Sequence, residues 1–183
     1  MSAKNIHWKY LSKDLFAKVS LSQTFLILGL ILIAAVNCYA ENCPWLNAAT
    51  AGGALGGTVS ANLVHTSSED VTCEFTLKRN SDVATLSIAV HTMTTPAQEF
   101  LNFRNTCNTA TTTLRGIGNE AIECSSAAPQ GPATETIVAR VRERAFVLRW
   151  TFPAAADSIP AISRDELQDK IRNLAEQIAG SLF

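Results

Sequence analysis

The stretch "TETIVARVRERAFVLRWTF", residues 134–152, decides the fold. Ile137, Ala139 and Val141 recur at every second position, and Phe146, Leu148 and Trp150 do so again after an interruption at "RER". Side chains of a strand alternate between faces, so this pattern predicts two antiparallel strands joined by a tight turn. Arg140, Arg142, Arg144 and Arg149 give the hairpin a basic outer face and tip. Two readings of those arginines stand side by side: a solvated sheet face with charges that discourage edge pairing, and an anion- or partner-binding patch.

Immediately upstream, "GIGNEA" (residues 116–121) fits the dinucleotide fingerprint G-x-G-x-x-[GA] on paper. The fingerprint needs a strand before it, a helix opening within it and an acidic residue at the end of the next strand. Here "TTTLR" precedes, but "IECSS" follows and itself reads as strand, so no βαβ unit can be built. The segment is therefore expected to be a structural turn. Gly116 and Gly118 would supply positive φ, and Asn119 and Glu120 would hydrogen-bond the bent backbone. No cofactor is expected.

Further upstream, "VTCEFTLKR" places Val71, Cys73, Phe75 and Leu77 on one face, and "ATLSIAVHTM" does the same with Leu86, Ile88 and Val90, leaving His91 opposite. "TVSANLVHT" offers Val59, Ala61 and Leu63, with His65 at its end; the loops "SSED" and "RNSD" make the three an antiparallel meander. "TPAQEFLNFRNTC" reads as a helix with Thr95 as N-cap, Pro96 at the first helical position and Gln98 closing a capping box. "CPWLNAATAGGALGG" reads as a short helix entered at Pro44 and ended by glycine pairs. A phosphate loop would need a Lys-Ser or Lys-Thr after it, which is missing. In the last segment Leu167, Ile171, Leu174, Ile178 and Leu182 mark one helical stripe behind a Ser163/Glu166 capping box. The class expected is α+β, a single antiparallel sheet packed by helices.

Residues 1–40 differ in kind. Four lysines precede the apolar run 24–36, and "NCYA" follows it, which is the layout of an export signal. Cleavage before Glu41 is expected; an uncleaved signal anchor is the second reading and lipidation of Cys38 the third. In each case residues 41–183, one domain, are exported, to the periplasm, the cell surface or beyond, and a membrane is met only through the N-terminal segment.

Beyond Cys38 the cysteines number four: Cys43, Cys73, Cys107 and Cys124. An even set in an exported domain reads as two disulfides, with three possible connectivities. Cys43–Cys73 and Cys107–Cys124 are the pairs expected, because each joins a helix to a nearby sheet position across a short loop. Metal binding lacks support, since there is no C-x-x-C pair and His65 and His91 fall in separate strands.

Without the leader, 11 Lys+Arg face 15 Asp+Glu, a net charge near minus four. That balance argues against nucleic acid, which calls for a basic excess. An enzyme would have to be built on His65 with Glu69 or Asp70, as a hydrolase without any G-x-S-x-G context. A binding module presenting a pocket or a sheet face to a small ligand or an envelope protein needs no such motif and is the reading preferred. A purely structural envelope role is the remaining class.

On "CPWLNAATAGGALGG", Cys73 in "CEF", "GIGNEA" and "VARVRERAFVLRW" ahead of a final amphipathic helix, the chain from residue 43 onward resembles small exported bacterial proteins of unknown function, many of them lipoproteins, with a PsbP-like sandwich. The resemblance implies an envelope binding domain, sensor module or accessory subunit and no shared catalytic residue. The chain departs from the lipoprotein members in lacking a lipobox before Cys38.

Overall fold

Two runs of hydrophobic alternation, separated by the Thr95-Pro96 helix start, fold as two antiparallel meanders that share one sheet. The computed structural model of the chain describes residues 43–65, 67, 70–127, 132–153 and 163–183. The expected leader, with Cys38, and Glu69 lie outside the described residues. The elements in chain order are α1 (Ala48–Leu55), β1 (Ser60–His65), β2 (Asp70–Arg79), β3 (Asp82–Thr92), α2 (Pro96–Arg104), β4 (Thr111–Leu114), β5 (Glu120–Ala127), β6 (Ala133–Val141), β7 (Arg144–Phe152) and α3 (Arg164–Leu182). The seven strands are ordered β1-β2-β3-β7-β6-β5-β4, every neighbouring pair antiparallel. The protein is thus α+β, an open sheet with helices on both faces.

Register aligns the alternating residues into rows. Phe75 lies opposite Leu86, which lies opposite Trp150; Ile88 lies opposite Leu148, which lies opposite Ile137. All six are buried on one face, where α1 and α3 cover them. Helix α3 contributes Ile171, Leu174, Ile178 and Leu182, each worth roughly 1.5–3 kcal/mol when fully buried. Ser163 caps it by accepting the Glu166 N–H at 3.2 Å, while the Glu166 carboxylate pairs with Lys170 at 3.0 Å rather than completing the box. An ionic link joins helix to sheet: Arg172 Nη2 and Nε donate to one oxygen of the buried Glu123 of β5, at 2.6 and 3.2 Å.

The opposite face carries a smaller cluster, Met93, Phe100, Ile122, Val138 and Ala145, covered by α2. Two disulfides fasten the layers. Cys43–Cys73 joins the segment before α1 to β2, and Cys107–Cys124 joins the loop after α2 to β5, with Cα–Cα distances of 5.7 and 5.8 Å.

Three local expectations change. Helix α1 starts at Ala48, not near Pro44, because the Asn47 side chain accepts from the Thr50 N–H and fixes the N-terminus there. Strand β1 is an edge: Ala61 is exposed and Leu63 only half-buried, because a neighbour stands on one side only. Cys107 lies three residues beyond α2, in the loop that follows it.

Candidate functional site

On the second face a group of polar side chains gathers around the start of α2. Thr95 makes no side-chain cap bond, and its backbone is far from the extended N-cap geometry (φ −122°, ψ 74°). The expected partner Gln98 is replaced by Glu99. One oxygen of that carboxylate accepts from the backbone N–H of Thr95 (2.7 Å) and Thr94 (3.1 Å) and from both threonine hydroxyls (2.8 and 2.9 Å). An anionic acceptor collects several donors better than an amide does. The Thr95 N–H first, then the Thr95 and Thr94 hydroxyls, pull the Glu99 pKa down to about 2.

Glu99 also faces His91. The ring is bonded through Nδ1 to the Asp70 carboxylate, its Nε2 stands 3.7 Å from Glu99 Oε2, and its plane tilts on Phe103 at 5.3 Å between centroids. Asp70 lies directly across from His91 in the β2–β3 register. The hydrogen bond from His91 holds Asp70 below its ordinary pKa, opposed by desolvation and helped by the Ser67 hydroxyl. Ser67 donates its hydroxyl to Asp70 at 3.0 Å. The two carboxylates sit on opposite ring nitrogens and cannot converge on one ion. Among the described residues no group of three His, Cys, Asp or Glu is placed to hold a metal. The cluster is a clasp between β2, β3 and the start of α2.

His65 is exposed at the end of β1, opposite Val71. Of the two acids expected beside it, Asp70 is committed to His91. The structure therefore builds no His65–Asp70 dyad.

The "GIGNEA" segment is a turn between β4 and β5, with Gly116 at φ 85° and Gly118 at φ 59°. Strand, not helix, follows it. Asn119 and Glu120 bond across to the β6–β7 hairpin rather than to the turn's own backbone. The Asn119 N–H donates to the Arg140 carbonyl at 2.8 Å, and Asn119 Oδ1 accepts the Arg142 N–H at 2.7 Å. Arg140 donates to Glu120 Oε1 at 2.6 and 3.0 Å. These bonds hold Arg142 in its positive φ of 54°, unusual for a side-chain-bearing residue. A β-carbon on Gly118 would stand well under 3.0 Å from the Arg140 carbonyl oxygen, so only glycine lets the two backbones meet.

Between α2 and this turn opens a cleft of about 400 Å³. Its apolar walls include Phe100, Leu114 and Ile122; Arg104, the last residue of α2, and Arg115, the first of the turn, stand at its rim. Both arginines are exposed, and neither has a carboxylate partner among the described residues. Sequence reading missed this pair and the His91 clasp. The signal for the clasp was present, since the strand alternation put His91 on the face away from the core; its partners are visible only in the register.

The four hairpin arginines do not form one surface. Arg140 is paired with Glu120, and Arg142 extends over the Phe183 ring at 5.5 Å. Arg144 opens β7, and Arg149 lies five residues further along, beside Thr136 in a polar hollow that also includes Asn108 and Ser126. No family model and no curated protein matches this chain.

Proposed function

We propose that this protein is a non-catalytic binding module of the cell envelope, exported through the signal in residues 1–40, and that its ligand site is the cleft between α2 and the 116–121 turn. The ligand class is a small molecule with an apolar body and an anionic end, a carboxylate in the simplest case. The observation that carries this reading is the pairing of an apolar wall with two exposed guanidiniums, Arg104 and Arg115, that have no carboxylate partner among the described residues. Apolar walls with a few convergent polar groups are the common composition of small-molecule sites, and a planar guanidinium binds a carboxylate through two parallel hydrogen bonds. Both disulfides suit a non-reducing compartment. Among the described residues no helix is long and apolar enough to cross a membrane. The resemblance to PsbP-like envelope domains belongs to the same proposal and agrees with the sheet-and-helix class.

Octanoate is a suitable probe. It should raise the melting temperature of the exported protein at millimolar concentration, and Arg104→Gln with Arg115→Gln should remove that rise while leaving the unliganded melt in place. An unchanged melting temperature for the wild type, or an equal rise in the double variant, would dismiss the cleft as the site.

A further inference from the structure

From residue 43 to residue 68 the sequence contains no Asp, Glu, Lys or Arg, in a domain that otherwise carries a net charge near minus four. This neutral stretch includes β1, which forms one edge of the sheet. Among the described residues its only extensive contact is with β2, while helix α1 packs chiefly on β2 and β3. Asn62 and Val64 are exposed, Val64 at 45%. The opposite edge, β4, has four residues and runs into Arg115. Sheet edges of soluble proteins are ordinarily protected by charge, proline, bulges or a covering element, because their unpaired N–H and C=O groups are a template for another strand. The six residues of β1 carry no proline and no Lys, Arg, Asp or Glu.

We propose that β1 is a self-association edge, pairing antiparallel with β1 of a second copy about a two-fold axis. Charge selects this occupant: copies with net charge near minus four repel over most of their surface and meet most easily along an edge that carries none. Symmetry restricts the register. An axis perpendicular to the sheet keeps each face on its own side, so the pairing centres on a residue: Asn62 opposite Asn62 of the second copy, or Leu63 opposite Leu63 of the second copy. The second register also sets Val64 against Asn62 of the second copy. Six-residue edges bury less than the ~1,600 Å² of a standard interface, so the dimer is weak, with a Kd of about 10 µM to 1 mM.

Sedimentation of the exported protein should show a monomer giving way to a dimer across that range. Asn62 and Val64 are both exposed, so N62D/V64D and N62K/V64K should both fold, the first melting slightly lower than the second because position 62 stands opposite Glu74 on β2. In either register each variant places like charges opposite one another, and each alone should remain monomeric. Mixed in equal amounts, they should regain the dimer, with an affinity that falls as salt is added. The proposal is overturned if the wild type stays monomeric at 1 mM, if the charged variants dimerise as the wild type does, or if the mixture fails to associate where the wild type does.

Discussion

Replacing Gly118 and Gly116 separately by alanine distinguishes a turn that needs only positive φ from one that also needs close backbone approach. Gly116 has φ 85° and nothing within 4 Å of the position a β-carbon would take, so Gly116→Ala should cost only the left-handed backbone penalty, about 1–2 kcal/mol. Gly118→Ala incurs the same penalty at φ 59° and adds a collision with the Arg140 carbonyl oxygen and with Val141 Cγ2 at 2.9 Å. Neither neighbour is the far end of a flexible side chain, so relief requires the turn to lift from β6. That movement gives up the 2.8 Å bond from Asn119 to Arg140 and the 2.7 Å bond from Arg142 to Asn119, at about 1 kcal/mol each. Gly118→Ala should therefore cost about 3–4 kcal/mol. At roughly 4 °C per kcal/mol for a domain of this size, that is a fall in melting temperature of about 12–16 °C, against about 4–8 °C for Gly116→Ala. Thermal unfolding by circular dichroism, with disulfides intact, measures both. Equal losses would show that the close approach does not exist and that the turn is not anchored to the hairpin.

The Cys107–Cys124 bridge closes a short loop, with a sequence separation of 17, so Cys107→Ser with Cys124→Ser should destabilise the domain by about 3 kcal/mol in denaturant titration. Non-reducing peptide mapping should return Cys43 linked to Cys73, and recovery of a Cys43–Cys124 peptide would contradict the architecture. Arg172→Ala leaves Glu123 buried without its counter-charge; because the Arg172 side chain is 36% exposed, the loss should be about 2–3 kcal/mol, below that of a fully enclosed pair. Glu99 has its folded-state pKa lowered from the ordinary 4.5 to about 2, so its contribution is present above about pH 4.5 and is lost as pH falls toward about 2; Asp70, also lowered, acts in the same direction. Acid unfolding should accordingly be shallower in Glu99→Gln, and an identical pH profile would mean that the carboxylate does not hold the Thr94 and Thr95 donors.

Those elements whose burial leaves a periodic trace were legible from residue types alone. Phe75, Leu86, Leu148 and Ile137 announce strands because each sits on a buried row, and Ile171 to Leu182 announce a helix because one stripe meets the sheet. Strand β1 shows the limit of that signal: Ala61 and Leu63 alternate like core residues, yet alternation records a face and not whether another element covers it. Gln98 and Glu99 differ by one position in a potential capping box, and the choice fell to the backbone angles of Thr95, which residue types do not encode. The site lay further out of reach. Arg104 and Arg115 are separated by a loop and a strand, and they share a rim only because the Cys107–Cys124 bridge and Phe100 bring the end of α2 down beside β5. Asp70 and His91 meet through register, which a two-residue turn at Asn80 and Ser81 sets, Asn80 taking φ 52°.

Nuclear magnetic resonance of the ¹⁵N-labelled protein, titrated with octanoate, tests the binding cleft most directly, because it locates the contact as well as detecting it. The account predicts saturable shifts confined to the amides of Phe100, Arg104, Leu114, Arg115 and Ile122, absent in the Arg104→Gln/Arg115→Gln variant. Shifts centred on another surface, such as the hollow beside Arg149, or a spectrum that stays unchanged at millimolar octanoate, would contradict it.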